Sequence, residues 1–235
     1  AQSTGLSVDN TEALGALSDA AISEVDIEAG RFDGAEVRAW LVNWQDVSVR
    51  WLQFRGSIGE LRRANGAFHA ELRGLTEALN RPLGRIYQKP CTAVLGDAQC
   101  RFNTATPGYF VDVTLEVGSE GVLFEWPDAG AFEPDWFRRG RLDVLSGAAA
   151  GLWGVIKDDA LEGGTRRVEL WQKLRVPLVA GDRVRVVAGC DKRTETCRLK
   201  FDNLVNFQGF PDIPGEDWVM SVPRADGVNT GGSLR

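Results

Sequence analysis

One histidine, one methionine and four cysteines are all that 235 residues contain of those types, and no long apolar run is present. Each shortage excludes something. The longest apolar stretches, "GYFVDV" and "LSGAAAGLWGVI", are broken by Gly, Asp or Lys well short of the roughly 18 to 20 residues of a membrane-crossing helix. That removes a transmembrane helix and, with it, stable membrane insertion. The start, "AQSTGLSVDN", has neither a basic nor an apolar segment, so a secretory signal is expected to be absent or already removed, with synthesis in the cytoplasm. Bases are not in excess either: the net charge of -6 supplies no overall cationic field, which argues against sequence-specific or nonspecific nucleic-acid binding as the main task.

The usual signs of catalysis are also missing. His69 sits in "AFHAEL", where it reads as a strand-face residue, and no Ser or Cys pairs with it in the sequence. The adjacent acids Asp158-Asp159 and Glu216-Asp217 point to different sides when extended, which suits loop charges better than an acid/base pair. Neither "GAAAG" nor "GVNTGG" is followed by the Lys-Ser/Thr of a phosphate loop, and both read as flexible linkers. No catalytic residues are assigned, and no enzyme is expected.

What is present is β pattern, uneven charge and aromatic surface. Six acids and no base precede Arg31, whereas Arg31 to Lys89 carries ten bases against six acids. Such polarity suits either head-to-tail docking of subunits or a solvated acidic helix beside a mixed-charge sheet. Leu14, Leu17, Ala21, Ile22, Val25 and Ile27 recur near helical spacing, which predicts a helix over 11–30 that stops at Gly30. "AEVRAWLVNW" then alternates as a strand with large side chains on both faces, and Asn65-Gly66 predicts a tight hairpin between two further strands. Leu75, Leu79, Leu83 and Ile86 suggest a short helix interrupted by Pro82. Between Cys100 and Cys190 the pattern is six short strands with turn residues at short intervals, which favours a small closed or nearly closed barrel. The expected class is α+β, mainly β. An α+β domain occupies 1–89, a β-barrel 102–188, a cysteine region 90–101 with 189–218, and an extended polar arm 219–235. Eight tryptophans are scattered through strands and turns, as core or subunit interface for the most part, with glycan or receptor binding as the rival use.

The four cysteines bracket the barrel: "CTAVLGDAQC" holds Cys91 and Cys100, and "CDKRTETC" holds Cys190 and Cys197. If the strands enter and leave the barrel at one end, all four sulfurs meet there. Two local disulfides fit the separations but not a reducing cytoplasm. Zinc suits four thiolates, though its structural loops usually pair cysteines two to four residues apart. An iron-sulfur cluster also takes four thiolates, without either common ferredoxin spacing here. Lys192, Arg193, Arg198 and Lys200 around the second pair are expected to lower the thiol pKa. A structural zinc site contributes roughly 10–16 kcal/mol apparent, against about 3–5 kcal/mol for a disulfide, so a metal suits a weakly periodic segment better.

"GCDKRTETCRLKFDNLVNFQGFPDIPGEDW" with the upstream "CTAVLGDAQCRFN" resembles the C-terminal part of phage-tail hub proteins of the minor tail protein L type. "VDIEAGRFDGAEVRAWLVNWQD" resembles the first domain of the version found in alphaproteobacterial phages and the gene transfer agent derived from them. The likeness runs from Ala20 to Trp218; position 212, often His in such proteins, is Asp here, away from any implied ligand. The resemblance implies a tail-tip (baseplate) hub, assembled in the bacterial cytoplasm. It implies a homotrimeric ring between the distal tail ring and the central baseplate or fibre protein, with tail peptidase and tape measure protein as further contacts. It also implies a [4Fe-4S] cluster on Cys91, Cys100, Cys190 and Cys197, with zinc as runner-up, in a structural rather than redox role. Phe207 and Phe210 are expected to shield the sulfurs.

Overall fold

The computed structural model describes residues 10–16, 24–64, 67–80, 84–128 and 131–214. They belong to two compact units, Ala1–Gly84 and Arg85–Arg235, and the architecture is mainly β with few helices.

In the first unit the strands β1 (Asn10–Ala16), β2 (Glu36–Val42), β3 (Arg50–Ala64) and β4 (Ala67–Gly74) form one antiparallel sheet in the order β1-β4-β3-β2. The helix expected over 11–30 is therefore corrected: residues 10–16 are a strand, and among the described residues the helix α1 spans Glu24–Glu28. Seven consecutive residues of β1 pair with β4, from Asn10 opposite Arg73 to Ala16 opposite Ala67. The backbone donors and acceptors on β4's outer side outweigh a helical spacing that Gly15 already weakens, by roughly 1 kcal/mol relative to Ala. Gly30 does end α1, with φ of 74°, the left-handed conformation glycine takes without Cβ strain.

β3 and β4 pair down to Ala64 opposite Ala67, as a two-residue connection requires; Asn65 and Gly66 lie outside the described residues. The short helix expected after β4 is a 3-10 turn, Leu75–Asn80, and Ile86 lies beyond it in irregular chain. Only six residues separate the end of β4 from the restricted positions around Pro82, too few for a stable α-helix.

The second unit holds β5 (Phe110–Thr114), β6 (Leu123–Pro127), β7 (Arg141–Val144), β8 (Trp153–Glu162), β9 (Thr165–Leu170) and β10 (Arg183–Val187). These are the six strands that the alternating pattern predicts. They form one antiparallel sheet in the order β5-β10-β7-β8-β9-β6. Period-two burial curls it around Phe124, Phe137, Leu142, Ile156, Leu170, Val184 and Val186, each contributing roughly 1.5–3 kcal/mol on burial. The result is a curled half-barrel: β5 and β6 end the strand order and do not pair with each other. A cleft lined by Val111, Val113, Trp126 and Phe132 lies between them. "GAAAG" is an ordered turn of this unit and not a linker. Gly151 N–H donates to Val144 O at 2.9 Å, and a Cβ on Gly147 would stand 2.0 Å from Asp182 Oδ1.

Asp158 and Asp159 lie in β8, which corrects the loop assignment. A bulge between Ile156 and Asp158 shifts the alternation, so Asp158 faces solvent while Asp159 is buried. There Asp159 meets the fully buried Arg166, whose Nη1 lies 2.7 Å from Asp159 Oδ1. Arg166 Nε donates to Asp128, and its Nη2 donates to Phe132 O at 2.6 Å. Asp159 also accepts the Phe137 N–H at 2.8 Å. One guanidinium thus fastens the chain between β6 and β7 to the sheet. Removing one partner of a buried pair leaves the other charge uncompensated. Arg166→Met is expected to destabilise the protein by roughly 3–5 kcal/mol, read from urea unfolding; a cost under about 1 kcal/mol would show that the network is not a main fastening.

Candidate metal centre

Cys100 precedes β5 and Cys190 follows β10, and β5 and β10 are neighbours. Phe110 lies opposite Val187, and the Ala188 N–H donates to Tyr109 O at 2.8 Å. The chain therefore leaves the half-barrel beside the place where it entered, and the two cysteine segments meet.

Each segment is shaped by short-range polar contacts. Asp97 accepts backbone N–H groups from Val94 (2.8 Å), Gln99 (2.9 Å) and Cys100 (2.6 Å). Burial alone would raise the Asp97 carboxyl, but these donors and the Lys192 charge reverse that and hold it below its ordinary value. The Cys91 N–H donates to Lys192 O at 2.9 Å, and the Lys192 ammonium donates to Ala93 O, joining the first segment to the second. Lys192 has φ of 69°, a left-handed conformation uncommon outside glycine. Cys197 sits on the buried side of the one-and-a-half-turn helix α2 (Thr194–Leu199). Asn203 follows, and Gln208 reaches the site through its backbone N–H. Phe210 N–H donates to Gln88 O at 2.9 Å, while a Cβ on Gly209 would stand 2.5 Å from Lys89 O. That close approach is the local reason for a glycine there.

All four cysteines are free thiols, and all four line one small cavity, walled further by Ala93, Leu95, Phe201 and Phe207. Phe207 takes the shielding position expected of it. Phe210 does not line the cavity; it packs against Tyr87 with ring centroids 4.8 Å apart and lies under Arg85. Phe201, which the sequence reading passed over, takes its place.

The expected lowering of the thiol pKa is corrected for the second pair. Burial pushes Cys190 up despite the Lys192 N–H and charge beside it. Burial, then repulsion from Cys190, Cys100 and Cys91, pushes Cys197 up to about 11. Arg193 and Arg198 are exposed, so water screens them. Four thiolates coexist in such a cavity only when a positive centre neutralises them, and loading releases protons.

Donor chemistry fits a group that takes four thiolates. Gln208 N–H donates to Cys91 Sγ at 3.4 Å, and Asn203 Nδ2 approaches Cys100 Sγ at 3.5 Å. Such N–H···S bonds favour the thiolate form and form the supporting shell of a metal site. Among the described residues, no three His, Cys, Asp or Glu side chains draw together tightly enough to hold a single ion.

The lobe is seated on the half-barrel through Lys200 and an aromatic group. Lys200 Nζ donates to Trp136 O at 2.6 Å and Gly189 O at 3.0 Å and lies 4.1 Å from the Trp136 ring centroid. Tyr109 OH donates to Lys200 O at 2.8 Å, and Phe102 packs edge-on against Tyr109 and Phe201. His69 lies in β4, in the first unit, and Glu216, Asp217, Trp218, "GVNTGG" and the 219–235 arm fall outside the described residues.

Comparison with known proteins places these features. Residues 1–103 match the family "Baseplate hub protein, N-terminal attachment domain", and residues 135–217 match "Phage conserved hypothetical protein BR0599". The first match contains Cys91 and Cys100, the second Cys190 and Cys197. A chain in a solved structure titled "Virion of native gene transfer agent (GTA) particle" is 56% identical, with a TM-score of 0.90, over 100% of this chain and 81% of that one. No curated protein matches.

Burial lowers the Lys200 ammonium from 10.5 to about 8. The folded chain gives up this proton before the unfolded chain does, so the residue's contribution to stability rises with pH from about 8 to 10.5. The stability difference between wild type and Lys200→Met is expected to move toward wild type across that window in parallel melts; a flat difference contradicts the assignment.

Proposed function

This chain belongs to the family of baseplate hub proteins of phages and phage-like particles, and we propose that it is a ring-forming structural hub of the tail tip. In this reading it links the distal tail ring to the central baseplate protein and helps form the conduit for DNA, as a homotrimer, without catalysis. Membership in the family, and the match to a virion chain, support a structural component of a tail and baseplate.

One observation carries the assembly reading. The β2–β3 hairpin exposes Trp40, Leu41, Val42, Trp44, Val47, Val49, Trp51 and Leu52 together, with Trp44 at 84% and Trp51 at 73%, and β2 ends its sheet. A free apolar edge strand is an aggregation hazard unless something covers it. In a ring, neighbouring copies or tail proteins cover it. Trp44→Ser with Trp51→Ser is expected to weaken self-association of the purified chain by roughly 1,000-fold, since central interface tryptophans carry about 2 kcal/mol each. Light scattering across a concentration series measures this, and unchanged association would remove the hairpin from the interface.

For the cysteine lobe the proposal is a structural [4Fe-4S] cluster on Cys91, Cys100, Cys190 and Cys197. Four cysteine ligands leave no open position for a substrate, and such a group supplies cross-linking where apolar burial is sparse; within 91–101 only Ala93 is buried. Anaerobically purified protein is expected to absorb broadly in the visible and to contain iron and acid-labile sulfide in equal amounts. Cys100→Ser is expected to lose most of both. Zinc without iron, or no metal at all, would overturn the cluster and leave the hub assignment standing.

A further inference from the structure

Asn203 touches both cysteine pairs. Its Nδ2 donates to Cys100 O at 2.7 Å and approaches Cys100 Sγ at 3.5 Å. Its backbone N–H donates to Cys197 O at 3.0 Å, and its carbonyl accepts from the Cys197 thiol at 3.3 Å, a bond that ends when the sulfur loses its proton to ligate iron. The amide orientation is fixed by its neighbours, because Oδ1 accepts from Asn206 Nδ2 at 2.7 Å; a flipped amide would set oxygen against the Cys100 carbonyl. The residue enters the site directly after Asp202, whose φ of 45° turns the chain back toward the cavity.

We propose that Asn203 is the positioning residue of the thiol site, holding Cys100 and Cys197 to one geometry and tuning the Cys100 sulfur through its amide N–H. The inference rests on the reading that these cysteines ligate an iron-sulfur cluster. Cys91 and Cys190 receive donors from backbone N–H groups, of Gln208 and Lys192 respectively, which no side-chain substitution removes. Cys100 receives its donor from a side chain, so its electronic environment is the one that a point variant changes. A hydrogen bond to a ligand sulfur draws charge from the cluster and favours the reduced state. Losing it shifts the potential downward, and a carboxylate in its place shifts it further.

The test compares wild type with Asn203→Ala, Asn203→Asp and Gln172→Glu, all full-length and reconstituted anaerobically with iron and sulfide. Gln172→Glu is the control for an added carboxylate, since Gln172 is exposed and does not line the cavity. Midpoint potentials come from visible-band redox titration, with iron and sulfide quantified on each sample. The expected order of potential is wild type and Gln172→Glu highest, then Asn203→Ala, then Asn203→Asp. Asn203→Asp is isosteric, so it remains informative if Asn203→Ala fails to fold. A loaded Asn203→Asp with the wild-type potential overturns this proposal alone. A wild-type chain that takes up no iron overturns the cluster reading and this proposal with it.

Discussion

Two sulfur pairs on either side of a six-stranded sheet can share a cavity only if that sheet returns the chain to its own point of entry. Pairing of β5 with β10 meets this condition, and much of the second unit follows from it. The curl that sets first and last strands side by side also leaves β5 and β6 at the two ends of the strand order, so the sheet is a half-barrel. The same return juxtaposes Gly140 and Gly189 with main chain: a Cβ on Gly189 would stand 1.7 Å from Arg138 O, so no other residue fits there.

Polar groups do in this unit what a larger core does elsewhere. Arg166 anchors the chain between β6 and β7 from inside, and Lys200 anchors the cysteine lobe from beneath. Arg166 is fully buried and Lys200 half-buried, each against carbonyl oxygens and an aromatic face. Buried charges of this kind add specificity of arrangement more readily than net stability. A tail-tip protein that must hold one geometry within an assembly has use for that property.

The first unit follows a different logic. Its sheet buries little of β2, and its largest apolar surface points outward. Among the described residues, Trp126 alone of the tryptophans is core. Trp153 and Trp171 are exposed on the half-barrel as Trp40, Trp44 and Trp51 are on the hairpin. An outward aromatic surface of this extent is the signature of a chain whose stable state includes neighbours.

Sequence alone determined the six strands of the half-barrel, because period-two burial is written directly in residues such as those of "RRVELWQ" and "DRVRVVA". It also determined the grouping of four cysteines around one domain and the family to which the motifs belong. Tertiary structure alone decided the rest. Residues 10–16 became a strand because β4 offered them a pairing edge. Asp159 turned inward because a bulge changed its side of the sheet, and burial rather than neighbouring charge set the Cys190 and Cys197 thiols. Asn203 found both cysteine pairs through contacts up to 103 positions away in the chain. Each of these depends on which groups are brought near in space and how much water is excluded, quantities that a linear pattern does not encode.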